Sequence, residues 1–246
     1  MTSDIRGRGR ADVTAGSESQ AALDYYLIMS AADAGGAPAE GIVVEEFALA
    51  GDFRTVGLDT AGWTAADGVW WSSAAFGRAM REDPSLRARA RAVSRLDAEA
   101  AYRGLGGGEL PGETRLRAFF RDHQPLPDSP PLRLGPPRVP DGFHDTRVYR
   151  LLFAGEPRLP RLADVVTLAG EAGDPRTRVI GSGELRADPD VFTWEVRRIG
   201  PGVACCLDLT AHLGTASGQA LGPLLRRLTT AMRHAGPVPV TVERFS

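Results

Sequence analysis

His212 and Ser217 are separated by a short stretch of the run His212-Leu213-Gly214-Thr215-Ala216-Ser217-Gly218-Gln219, and an imidazole beside a hydroxyl is the pairing from which a nucleophile is made. The run leads from a predicted strand through a Gly/Ser/Thr loop into a predicted helix, whose first free N–H groups suit an anion. Thr215 in the loop and Arg226 on the helix would then hold a carboxylate or phosphate, with His212 as proton carrier. No GxSxG elbow surrounds Ser217, so the plainer account is a self-capped connection.

Two further clusters have the residue types for chemistry. Phe143-His144-Asp145-Thr146-Arg147 brings His144 and Asp145 to a strand entrance as a candidate acid–base pair, against the alternative that Asp145 ends a turn and pairs with Arg147. Ser182, Glu184, Thr193, Glu195, Arg197, Asp208 and Thr210 fall on one face of three predicted strands. Glu195, Arg197 and Asp208 are the ligand-binding candidates of that grid, and a solvated face laced with cross-strand ion pairs is the competing account.

Trp63, Trp70 and Trp71 cluster in a predicted loop. Of two consecutive tryptophans one is expected outside, where it would anchor an interface, unless the loop folds over the core. Gly104-Leu105-Gly106-Gly107-Gly108-Glu109 follows a predicted helix instead of opening one, which fits a helix C-cap and neither dinucleotide nor P-loop chemistry.

Composition narrows the classes. All 29 Lys/Arg-type cations are arginine, and asparagine is absent as well, so Schiff-base chemistry, pyridoxal phosphate anchoring and a P-loop lysine are excluded. Loss of both AA-codon residues, with abundant Ala, Gly, Pro and Arg, indicates a GC-rich bacterial genome of the actinobacterial type. Cys205 and Cys206 are adjacent in a predicted strand, where neighbours point to opposite faces and do not bridge. The four histidines have no HExxH spacing, so no metal site is expected. A net charge of -2 argues against nucleic acid, although Arg78, Arg81, Arg87, Arg89, Arg91 and Arg95 form a stripe that Glu82 and Asp83 interrupt. There is no bilayer-length apolar run and no signal-like h-region, so the chain is expected to be cytoplasmic, with residues 1–20 a disordered tail.

The elements that would position these groups divide at the proline-dense stretch 125–140, which separates halves 21–124 and 141–246. Strands are predicted at 25–30, 42–49, 53–59 and 90–95, with helices after Ser72 or Ser73, over 97–102 and over 113–122. In the second half, strands at 146–153, 178–186, 191–199 and 203–213 are followed by an amphipathic helix bearing Leu221, Leu224, Leu225, Leu228 and Met232, then by an edge strand at 238–245. A helix is also predicted over 159–171. Pairing the strands through Ile199-Gly200-Pro201-Gly202 sets Trp194 opposite Leu207, and Gly183 is expected beside the indole. The resulting class is α+β: two halves of mainly antiparallel meander with helices on one face, whose similar element order suggests duplication.

Regular sheets and amphipathic helices without a convergent catalytic set point to a protein-binding module of an adaptor, chaperone-like or immunity-like kind. The alternative is a cofactor-independent enzyme acting on a small anionic metabolite in specialised metabolism, with His212 or His144 as proton carrier.

Overall fold

Alternating apolar residues in the first half build one sheet whose two faces are both claimed. A computed structural model describes residues 22–31, 38–127, 138–170, 172–174, 176–200 and 202–245; the predicted tail and most of the proline-dense stretch lie outside them. Strands β1 (Asp24–Met29), β2 (Ala39–Leu49), β3 (Thr55–Thr64), β4 (Trp70–Ser72) and β5 (Ala90–Val93) take the order β4-β3-β2-β1-β5, and β6 (Gln124–Pro125) pairs with β3. On one face Tyr25, Ile42, Val44 and Trp63 pack with Ala98 and Tyr102 of α3 (Arg95–Gly104) and Leu116 of α4 (Glu113–Arg117). On the other, Tyr26, Ile28 and Val43 pack with Met80 of α1 (Ala74–Glu82). A short α2 (Pro84–Arg89) starts at a proline and is capped by Asp83, whose side chain accepts from Ser85 N.

The second sheet comprises β7 (Asp145–Ala154), β8 (Thr167–Leu168), β9 (Val179–Ala187), β10 (Asp190–Arg198), β11 (Ala204–Leu213) and β12 (Val238–Arg244), in the order β12-β7-β11-β10-β9-β8. Phe192, Trp194, Val196, Leu207 and Leu209 share a buried layer with Leu221, Leu224, Leu225, Leu228 and Met232 of α5 (Leu221–His234). The predicted α+β class with two antiparallel halves is therefore observed, and the expected placement of helices on one face holds for the second sheet but not for the first, where apolar residues on both faces draw α3 and α4 to one side and α1 to the other.

Some elements match expectation and others differ from it. Between β9 and β10, Leu185 faces Phe192 and Gly183 faces Trp194 as expected. A Cβ on Gly183 would lie 2.4 Å from the indole, so the indole occupies the space that glycine leaves. Between β10 and β11 the register is displaced by two residues, with Trp194 opposite Leu209 and Val196 opposite Leu207. The reason is that Val203, 64% exposed, belongs to the turn, where Gly200 and Gly202 both adopt positive φ. A shift of two preserves the face of every side chain. The predicted helix over 159–171 is replaced by a 3-10 turn at Leu159–Arg161 and strand β8. Trp194 Nε1 donates to Val165 O at 2.9 Å, fastening this segment over the core. Helix α4 ends at Arg117, short of the predicted 122.

The two halves resemble each other in how they close. In each, the strand after the helix flanks the half's first strand, β5 beside β1 and β12 beside β7. Their threading differs: the other neighbour of β1 is β2, whereas that of β7 is β11. Similar element order thus comes from two different strand orders. One short likeness emerges at the helix ends, where Ala79-Met80-Arg81 of α1 and Ala231-Met232-Arg233 of α5 occupy equivalent places.

Both methionines are buried, and both arginines turn into the seam. Arg81 makes a bidentate pair with Glu45 at 2.9 and 3.0 Å, while Arg233 meets Asp24 at 2.9 Å; Asp24 and Glu45 lie directly opposite each other on β1 and β2. Arg81 Nε also donates to Pro239 O of β12, and Arg233 donates to Tyr25 O. Each helix end therefore ties one half to the other.

Candidate functional site

The loop after β11 does not assemble the predicted dyad. His212 Nδ1 contacts Thr146 Oγ1 at 3.0 Å, its ring lies against Phe143, and Ser217 Oγ is bonded instead to Thr215 Oγ1 at 3.0 Å. Helix α5 begins at Leu221 with Ala220 at its N-cap and no side-chain cap. Arg226 lines a groove described below, whose lining does not include this loop.

At the entrance of β7 the sequence cluster separates. Asp145 accepts from Arg147 Nε at 2.8 Å, and this guanidinium holds the carboxyl below its ordinary range. His144 is exposed, and its backbone N–H donates to Leu213 O. A histidine that does meet a carboxylate is His123, Nδ1 at 3.0 Å from Asp59 Oδ1, with its ring over Gly57. Sequence reading missed this pair because its partners come from β3 and the end of the first half.

The polar grid is assembled on the outward face of the second sheet. Asp208 accepts from Arg150 at 2.7 and 3.1 Å and also pairs with Arg197, while Glu195 and Thr193 are exposed beside it. Arg150 also stacks over the Phe245 ring at 4.9 Å. A shallow depression of about 510 Å³ lies here, between Ser182, Thr193, Glu195 and Asp208. Arg150 is the member that sequence reading missed, since alternation gives its face but not the adjacency of β7 to β11.

The tryptophans are mostly structural. Trp63 is a buried residue of β3, which runs to Thr64 instead of ending at 59, and its ring meets Tyr102 edge-on at 4.6 Å. Trp70 is half-buried on β4, donates from Nε1 to Tyr102 Oη at 3.2 Å and stacks on Phe119. Trp71 is half-buried as well, its ring against Gly62. Four of the six stripe arginines make bonds within the fold, while Arg78 and Arg91 are exposed: Arg81 pairs with Glu45, Arg87 donates to Arg81 O, Arg89 to Met29 O, and Arg95 to Tyr25 Oη and Pro111 O.

A groove of about 830 Å³ lies in the seam, between β1 and β2 on one side and α5 and β12 on the other. The hairpin joining β2 to β3 closes one end of it. At that tip Phe53 adopts φ 69, a left-handed conformation uncommon for a bulky residue. Its ring sits where a Cβ on Gly222 would lie 2.7 Å away, and Tyr149 Oη donates to Asp52 O at 2.9 Å. Near the start of β1, Tyr25 Oη accepts from Arg95 at 2.5 Å and donates to Glu113 at 3.1 Å; burial pushes this phenol up to about 12. Burial likewise raises the Asp24 carboxyl, opposed by Arg233, and it raises Tyr26, whose hydroxyl has no hydrogen-bond partner among the described residues.

Comparison with known proteins gave no match: no family model, no curated protein and no solved structure corresponds to this chain. Among the described residues no cluster of three metal-ligating side chains occurs, and no helix is long and apolar enough to cross a membrane.

Proposed function

We propose that this chain is a protein-binding module that meets its partner with the outward face of the second sheet. The observation that carries the reading is the asymmetry of that sheet. Its inner face is sealed by α5, while Ser182, Glu184, Arg186, Thr193 and Glu195 on the other face are exposed. Half-buried Val148, Leu152 and Phe245 lie among the Arg150–Asp208–Arg197 network on the same surface. Apolar groups set among fixed charges on an exposed sheet face suit a protein partner, because the charges fix register while the apolar groups supply burial. A catalytic reading has less support, since His212 is engaged by Thr146 and the His144 side chain meets no carboxylate among the described residues.

The test is affinity capture from the native host with the full chain as bait, alongside a Thr193→Arg/Glu195→Arg double variant. The expected result is one protein retained stoichiometrically by the wild type, hydrogen-exchange protection over β9 and β10 in its presence, and its loss from the variant at unchanged melting temperature. Equal retention by the variant, or no stoichiometric partner, refutes the reading.

A further inference from the structure

We infer that the seam groove binds an amphipathic carboxylate, with an apolar chain inside and its head at the rim arginines of α5. This inference does not rest on the partner reading, because the groove lies on the α5 side of the second sheet and the outward face lies on the other. Three observations carry it.

The first is size and shape. A volume of about 830 Å³ falls within the roughly 300–1,000 Å³ of sites that enclose small organic ligands. The groove follows α5 from Gly222 to Arg233, a length of about 16 Å at the helical rise.

The second is the lining. Phe47, Leu49, Phe53, Leu225 and Val242 are its apolar lining, and Leu49 is 44% exposed there, whereas the other exposed large apolar side chains, Leu96 and Val203 among them, lie outside the groove. Apolar surface left open inside a concavity is what an acyl chain would cover.

The third is charge. The buried or half-buried carboxylates along the groove already have arginines: Asp24 has Arg233, Glu45 has Arg81, and Glu46 and Glu113 share Arg117. Arg226 and Arg227 are exposed at the rim and have no carboxylate partner among the described residues, against one exposed carboxylate there, Asp164. Arg233 Nε is buried in the lining without a hydrogen-bond acceptor among the described residues. The balance at the mouth therefore favours an incoming anion and disfavours a cation.

The experiment uses the purified full chain and cis-parinarate as fluorescent probe, displaced by dodecanoate, dodecanol, dodecyltrimethylammonium or acetate. Saturable binding is expected, with dodecanoate the best competitor, dodecyltrimethylammonium the poorest long-chain one, and acetate without effect. Arg226→Glu/Arg227→Glu should weaken dodecanoate about tenfold and narrow its advantage over the cationic amphiphile. Both residues are exposed, so the melting temperature should not move. Leu49→Arg, at the apolar lining, should weaken dodecanoate and dodecanol alike. Absence of saturable binding overturns the inference, and so does a cationic amphiphile that competes as well as the carboxylate. Dodecanoate binding indifferent to the double charge reversal overturns it too, since it would mark adsorption to apolar surface.

Discussion

The two sheets hold an arginine–carboxylate network each, and the networks do opposite things. In the first sheet Arg81 and Glu45 have side chains 7% and 1% exposed, enclosed by Thr60, Phe47 and the chain of β12. In the second, Arg150 and Asp208 are 34% and 21% exposed, on a face open to solvent. Two charges withdrawn from water hold only when geometry and added hydrogen bonds offset the desolvation, so the enclosed pair specifies how the halves dock. The wet pair costs little to form and contributes little, which leaves it available to a partner.

Breaking the enclosed network should give the largest effect. Arg81→Met leaves Glu45 buried without a counter-ion and removes the donor to Pro239 O, and a loss of about 3–5 kcal/mol is expected from urea denaturation. If Arg81→Met costs no more than Arg150→Met, the contrast between the two networks fails. Gly183→Val drives a branched side chain into the Trp194 indole and should cost about 1–3 kcal/mol, with a change in tryptophan emission.

The pH dependence sharpens the seam side. Burial, then the neighbouring Arg233 charge, holds the His234 imidazole below its ordinary value of 6.5. The folded chain thus keeps His234 neutral where the unfolded chain takes up a proton. Its contribution is complete above pH 6.5 and is lost as pH falls below that value toward the lowered folded one. Urea midpoints measured from pH 7.5 to 5 should fall, and by less in His234→Gln. The smallest effect belongs to the open face, where a double-mutant cycle on Arg150 and Asp208 should return a coupling under about 1 kcal/mol.

What the sequence made legible follows local spacing. The β9–β10 pairing could be read because Gly183 and Trp194 form a matched void and bulk across a tight turn. The β10–β11 register was misjudged by two because a strand-forming valine, Val203, sits in the turn, and no propensity reveals that. Residues 159–171 have helix-compatible apolar spacing, but Pro157, Pro160 and the capture of Val165 O by Trp194 decide otherwise. Of the site candidates, the grid around Asp208 was visible because alternation fixes a face, whereas Arg150 needed the knowledge that β7 lies beside β11. The seam was hidden: Asp24 and Arg233 come from opposite ends of the chain, and the Ala-Met-Arg likeness means something only once both helices are seen to end on the same pair of strands.

Strand β12 borders its sheet, and a border strand has a row of main-chain groups facing away from its one neighbour. Here the other half of the chain attends to them. Arg81 Nε reaches Pro239 O, and Thr55 Oγ1 both accepts from Val242 N at 3.0 Å and donates to Val242 O at 3.3 Å. A fragment starting after the proline-dense stretch would expose that row and invite strand-to-strand stacking with its own copies. Cleavage between the halves is accordingly expected to leave them associated, and forcing them apart should give precipitate instead of two soluble pieces.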